Sequence, residues 1–137
     1  MRIAIAVKAV FDASVFVRAG AYRSTEARAW TARIGKPLRV VVPDLVWLEI
    51  ANALRRRVTV AGMAEAHADA ILTTTRRFPL EIRGLADLAQ PALAASLAQG
   101  LSVYDAAYLV LAEALDATLV TADRRLAEAA SRAELIA

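Results

Sequence analysis

The chain has no cysteine, which excludes a disulfide framework and any thiolate metal site and fits a reducing cytoplasm. Its single histidine, His67, falls among alanines on an expected surface helix, so neither a histidine-based zinc site nor a paired-histidine nuclease can be assembled. The five glycines are scattered, and no Gly-rich phosphate loop or G-x-S-x-G elbow occurs. Long apolar runs are missing as well. Although 58% of the residues are hydrophobic and mean hydropathy is +0.44, charges interrupt every run before the roughly 18 residues of a membrane span. Much of the excess is alanine, a helix former, so a soluble chain with no membrane partner is expected. The start MRIAIAVKA runs into VFDASVFV without a small-residue cleavage pattern and reads as strand, not signal peptide.

What is present begins with arginine. Only two of the seventeen basic residues are lysines, Lys8 and Lys36, and the formal charge is +3. A length of 137 residues suits one domain, residues 1–137, with a core large enough to need no staples. If an acidic pocket were neutralised by a metal, the rest of the surface would be more positive than the total implies, which favours a polyanion such as nucleic acid.

Apolar β-type runs alternate with helical periodicity, the pattern of βα units around a mostly parallel sheet of four to five strands. Strands are expected at 4–11, 38–42, 80–83, 118–121 and, as a last edge, 134–136. Ser14 is expected to cap a helix from Val15 to near Gly20, and a second helix follows Ser24 as far as Gly35. Asp44 is expected to cap a helix that ends in Arg55, Arg56 and Arg57, where the helix dipole favours cations. Further helices are expected at 63–76, 85–99, from Ser102 to about residue 114, and from Asp123 to about Ser131.

Asp12, Glu49, Asp105 and Asp123 each stand where a strand ends or a helix begins. A doubly wound sheet collects such junctions along one edge, in the crevice where ligands bind. Four carboxylates sharing a pocket cannot all stay ionised unless a cation joins them or some take protons, so the pattern points to a divalent-metal site. Singly, Asp12 could be a turn residue, Asp105 half of a capping box with Ser102, and Asp123 an N-cap. Glu49 lies inside its helix, where no cap is needed.

The segments VFDASVFV, PDLVWLEIANALRR, LSVYDAAYLVLAEAL and ATLVTADRRL resemble, in order and spacing, the four signature blocks of PIN-domain ribonucleases, in particular the VapC-like toxins of bacterial type II toxin–antitoxin modules. The resemblance covers nearly the whole chain. It implies an α/β, PIN-like three-layer sandwich and a Mg²⁺- or Mn²⁺-dependent endoribonuclease, with Asp12, Glu49, Asp105 and Asp123 on the motif acids. Asp12 and Asp105 would be the main ligands, Glu49 a second-metal or water-mediated one, and Asp123 an outer one. Thr121 and Ser14 fall on the flanking polar positions, where they would orient carboxylates or water. RNA as substrate, a small cognate antitoxin and a homodimer are further implications. Hydrolysis of a phosphodiester fits hard ions held by two to four carboxylates.

Arg18, Arg23, Arg124 and Arg125 lie near the expected edge as candidate phosphate contacts. Tyr104 and Tyr108 could stack bases or pack against the core or a partner, and Trp47 belongs to the core or an interface. Two other classes stay open: a catalytically idle RNA- or protein-binding module of this fold, and a phosphohydrolase of small phosphates.

Overall fold

Runs of valine, leucine and phenylalanine build the centre of the molecule. Lys8–Phe11 (β1), Arg39–Pro43 (β2), Glu81–Arg83 (β3), Thr118–Thr121 (β4) and Ala133–Leu135 (β5) form one sheet in the order β3-β2-β1-β4-β5. All four neighbouring pairs are parallel. The structure is a computed structural model that describes residues 7–137; the part of the expected first strand at 4–6 lies outside them. Val10, Phe11, Val40, Val41, Val42, Leu119 and Val120 are fully buried. Consecutive apolar residues are what a parallel strand covered on both faces requires, and each such side chain contributes about 1.5–3 kcal/mol by leaving water. The edge strands β3 and β5 carry Glu81, Arg83 and Glu134 instead, charges that discourage pairing with another sheet.

The helices are Ala13–Gly20 (α1), Thr25–Thr31 (α2), Val46–Ala61 (α3), Glu65–Thr75 (α4), Ala89–Gln99 (α5), Val103–Leu115 (α6) and Arg124–Ala129 (α7). Helix α1 packs on α2, α3 and α4, while α6 packs on α5, α7 and the strands β1, β2 and β4. The result is the expected helix–sheet–helix sandwich. Gly20 lets α1 meet α4 closely, since a Cβ there would stand 2.6 Å from Ile71 Cγ2.

Several local expectations are corrected. Helix α1 starts at Ala13, not Val15, because Asp12 rather than Ser14 is its N-cap and takes the Ser14 N–H at 3.1 Å. Helix α2 ends at Thr31, short of Gly35: the amides of Arg33 and Ile34 bond three residues back, which tightens the exit. Asp44 caps nothing. Its amide still follows the sheet, bonding Arg83 O at 3.0 Å, and the helix begins one residue later behind Leu45. Helix α3 does not stop at the arginine triplet, since nothing from Val58 to Ala61 breaks it and Gly62 closes it at φ +75°. Arg55–Arg57 therefore lie inside the helix, away from its terminal dipole. The stretch 85–99 divides into a 3₁₀ turn at Ala86–Leu88 and α5.

From β1 the chain moves outward to β2 and β3, then returns to β4 on the other side of β1. The β1/β4 boundary is thus the topological switch point, and the carboxyl ends of those strands open the crevice of such folds.

Candidate metal centre

Asp12 directly follows β1, and Thr121 ends β4. The Thr121 hydroxyl donates to Asp12 Oδ2 at 2.6 Å across the switch point. Asp12 Oδ1 accepts from both the amide and the hydroxyl of Ser14. Each hydroxyl is itself pinned from behind: Ser14 Oγ accepts from Ala122 N–H at 2.8 Å, and Thr121 Oγ1 accepts from Asp123 N–H at 2.9 Å. Asp12 is therefore buried and fixed. Of about four acceptor positions on a carboxylate, the protein leaves roughly one open, on Oδ2.

Glu49, in the first turn of α3, accepts a 2.6 Å hydrogen bond from the Tyr108 hydroxyl of α6. Asp105 enters from the first turn of α6, whose N-cap Ser102 accepts the Asp105 amide at 3.1 Å. Asp12, Glu49 and Asp105 line one cavity of about 290 Å³, together with Ser14 and Tyr108. Larger clefts exist, including one of about 690 Å³ between α3 and α4, but they contain none of these three acids.

Asp123 is placed differently. It is exposed, it lies outside the cavity lining, and its Oδ1 caps α7 by accepting from the amides of Arg125 and Leu126. Its charge still reaches Asp105.

Burial pushes the Asp12 carboxyl up to about 6 against the hydrogen bonds from Ser14 and Thr121. Burial also raises Glu49, opposed by the Tyr108 hydrogen bond and reinforced by the charges of Asp105 and Asp12. Asp105 is raised by burial and then by Asp123. Loss of water outweighs mutual repulsion at each acid, whereas the sequence suggested repulsion as the leading cause. The Tyr108 phenol is driven upward by burial and by Glu49, so it stays a hydrogen-bond donor.

Among the described residues, no three or more histidine, aspartate or glutamate side chains are so placed that they could hold a metal ion by themselves. The donor set nevertheless fits Mg²⁺ chemistry. Its carboxylates are hard oxygens, raised in pKa by a setting that disfavours their bare charge, and Mg²⁺ binds one or two carboxylates while water completes its shell. What the residues match is a water-rich ion, not an all-protein cage.

Base stacking by Tyr108 is overturned, since the side chain is 1% exposed and occupied with Glu49; Tyr104 is exposed. The grip of Tyr108 on Glu49 was missed because 59 residues separate the pair. Trp47 is half-buried under the Arg76 guanidinium, and exposed His67 borders a cleft of about 380 Å³. Arg18 lines the acidic cavity, whereas Arg125 donates to Gly100 O at 2.7 Å.

The family model described as PIN domain matches residues 9–132, and the chain belongs to the PIN-domain family. Ribonuclease VapC3 of Pyrobaculum aerophilum is 37% identical over 87 residues, covering 62% of this chain and 66% of that relative, just under two thirds of its length. Ribonuclease VapC3 of Mycobacterium tuberculosis is 33% identical over 120 residues, 88% of this chain and 85% of the relative. Among solved structures, VapBC2 from Rickettsia felis, bound to a DNA fragment from their promoter, superposes with a TM-score of 0.70 at 14% identity, covering 96% of this chain and 100% of that one. That last likeness is one of fold.

Proposed function

We propose that the chain is a Mg²⁺- or Mn²⁺-dependent endoribonuclease and the toxin of a toxin–antitoxin pair. The observation that carries this reading is the convergence of Asp12, Glu49 and Asp105 on one cavity at the switch point, with Asp12 locked by Ser14 and Thr121. The relatives named VapC ribonucleases support the substrate class, and the VapBC2 structure supports a small antitoxin partner. Residues 1–137 act as a single domain, in the cytoplasm and as a homodimer.

A bound divalent ion would supply charge stabilisation for the phosphate oxygens and lower the pKa of an attacking water. Asp12 and Asp105 would hold it directly, and Glu49 would act on a second ion or through water. Tyr108 orients Glu49 by donating to Oε1, which favours the ionised carboxylate needed to bind a cation or accept a proton from water. Ser14 and Thr121 do the same for Asp12. Asp123 serves as an outer ligand that acts on Asp105 through its charge.

The test is cleavage of total RNA with Mg²⁺, with EDTA, and by Asp12→Asn. Fragments that form only with Mg²⁺ and only with the unaltered chain are expected. Metal-independent cleavage, or equal cleavage by Asp12→Asn, would remove the assignment. Binding of RNA without cleavage would favour the idle module, and hydrolysis of nucleotides without RNA cleavage a small-phosphate hydrolase.

A further inference from the structure

Beside the acidic cavity stands a cationic cluster that the acids do not use. Arg18, in the last turn of α1, lines the cavity with Tyr22, which lies in the turn after α1. The Arg18 guanidinium sits 4.8 Å from the centroid of the Tyr22 ring, and Arg57, reaching over from α3, sits 4.5 Å from the same centroid. Among the described residues, the ion pairs formed are Arg39–Glu81 and Arg132–Asp116. Neither Arg18 nor Arg57 is paired, although three carboxylates share the cavity that Arg18 lines.

Arg57 carries a second sign. Its Nε is buried and has no acceptor among the described residues, a situation that protein structures ordinarily avoid and that calls for an explanation such as a functional site. Stacking on an aromatic face holds a guanidinium in place while leaving its terminal N–H groups for an anion, which arginine can grip through two parallel bonds. A carboxylate partner would have used those donors; a tyrosine ring does not.

We infer that Arg18 and Arg57, splayed on Tyr22, form a phosphate-binding site for the RNA nucleotide next to the one whose phosphate lies at Asp12, Glu49 and Asp105. The inference rests on the ribonuclease reading above. The acids attract the cation, and the arginines hold the backbone one step along the strand, so the same cavity carries both signs of charge without internal neutralisation. Arg18 and Arg57 are positioning residues, and they act on binding more than on the chemical step.

The experiment measures binding of a labelled single-stranded RNA to full-length Asp12→Asn protein in EDTA, as a function of KCl, with Arg18→Gln, Arg57→Gln, Tyr22→Leu or Arg56→Gln added. Losing one phosphate contact should flatten the log–log salt slope by about 0.7 and weaken binding about fivefold at low salt. Arg18→Gln and Arg57→Gln should each do this. Tyr22→Leu should do it as well, because both guanidiniums lose their support. Arg56→Gln, which removes an equal charge from an exposed neighbouring position, should change the slope by less than half as much. In the cleavage-competent chain, Arg57→Gln should raise KM about fivefold and leave kcat within about twofold, the signature of lost uniform binding. Equal effects of Arg56→Gln and Arg57→Gln, or unchanged slopes, would overturn the site. So would unchanged RNA binding with weaker capture of an acidic peptide, which would mark a protein-docking patch. If the unaltered chain cleaves RNA while the slopes stay unchanged, the phosphate site alone fails; if it neither cleaves nor binds RNA, the ribonuclease reading fails with it.

Discussion

Replacing Asp12 by asparagine should abolish cleavage and, in metal-free protein, make the fold more stable. Raising the Asp12 pKa from 3.8 to about 6 means that ionising this carboxyl inside the fold costs roughly 3 kcal/mol more than in the unfolded chain. An amide carries no charge but offers one acceptor oxygen in place of two. The Thr121 hydroxyl must then turn or lose its bond, a loss of about 1 kcal/mol. A net gain of about 2 kcal/mol near neutral pH, or roughly 6 °C in Tm, should remain for a chain of this size. Because the folded pKa is the higher one, the stability that goes with the proton is fully present below about pH 4 and is lost as pH rises through about 6. The effect of Asp12→Asn must therefore run from a loss of about 1 kcal/mol at about pH 4 to a gain of about 2 kcal/mol above about pH 7. Urea unfolding of both proteins in EDTA across that range checks it. A variant less stable than the parent at pH 7, or a difference that does not change with pH, would refute the reasoning. Adding Mg²⁺ should then raise the Tm of the parent and leave the variant nearly unmoved.

Tyr108→Phe removes the donor to Glu49 Oε1. The Glu49 pKa should rise further, and the acid limb of the pH–rate profile should move to higher pH with cleavage down about tenfold near pH 7. Thr121→Val, nearly the same shape, should lower stability by about 1–2 kcal/mol, because it removes both the bond to Asp12 and the acceptor of the Asp123 amide; chemical denaturation reads this directly. Asp123→Asn separates two roles, since asparagine caps a helix as well as aspartate does. Stability should stay within about 0.5 kcal/mol while cleavage falls, though by less than for Asp12→Asn; unchanged cleavage would reduce Asp123 to a cap. Gly20→Ala places a methyl 2.6 Å from Ile71 Cγ2 and should cost about 1–3 kcal/mol in urea unfolding by forcing α1 from α4.

Most of the architecture could be read from the chain because its central strands are buried on both faces, and that burial writes itself as continuous apolar runs at 9–11, 40–43 and 119–120. Helix ends were less legible where two polar residues compete. Asp12 and Ser14 both have cap chemistry, and only the extended backbone at Asp12 (φ −81°, ψ 174°) decides which amide meets which oxygen. Asp44 had the right residue type, yet the sheet reaches one residue further and claims its amide. At the site, the three acids could be found because each marks a junction. Their supports could not. Tyr108 meets Glu49, and Arg57 meets Tyr22, through contacts between elements far apart in sequence, and no periodicity encodes such pairs.

The same geometry explains why the acids and their hydroxyl partners belong together. A buried carboxylate raised toward neutrality is a poor cation ligand unless something favours its charged form. Here Ser14 and Thr121 favour it at Asp12 and Tyr108 favours it at Glu49, each opposing the effect of burial. Those donors are anchored in turn by backbone amides after β4, at Ala122 and Asp123, and by the packing of α6. Strand β4 thus adds no acid to the cavity wall, yet its end sets the orientation of the Asp12 carboxylate. A change at Thr121 should consequently alter metal affinity as well as stability, whereas a change at an equally buried apolar neighbour such as Val120 should alter stability alone. Isothermal titration of Mg²⁺ into Thr121→Val and Val120→Ala distinguishes them: weaker binding only in the first supports this coupling, and equal affinities in the two would break it.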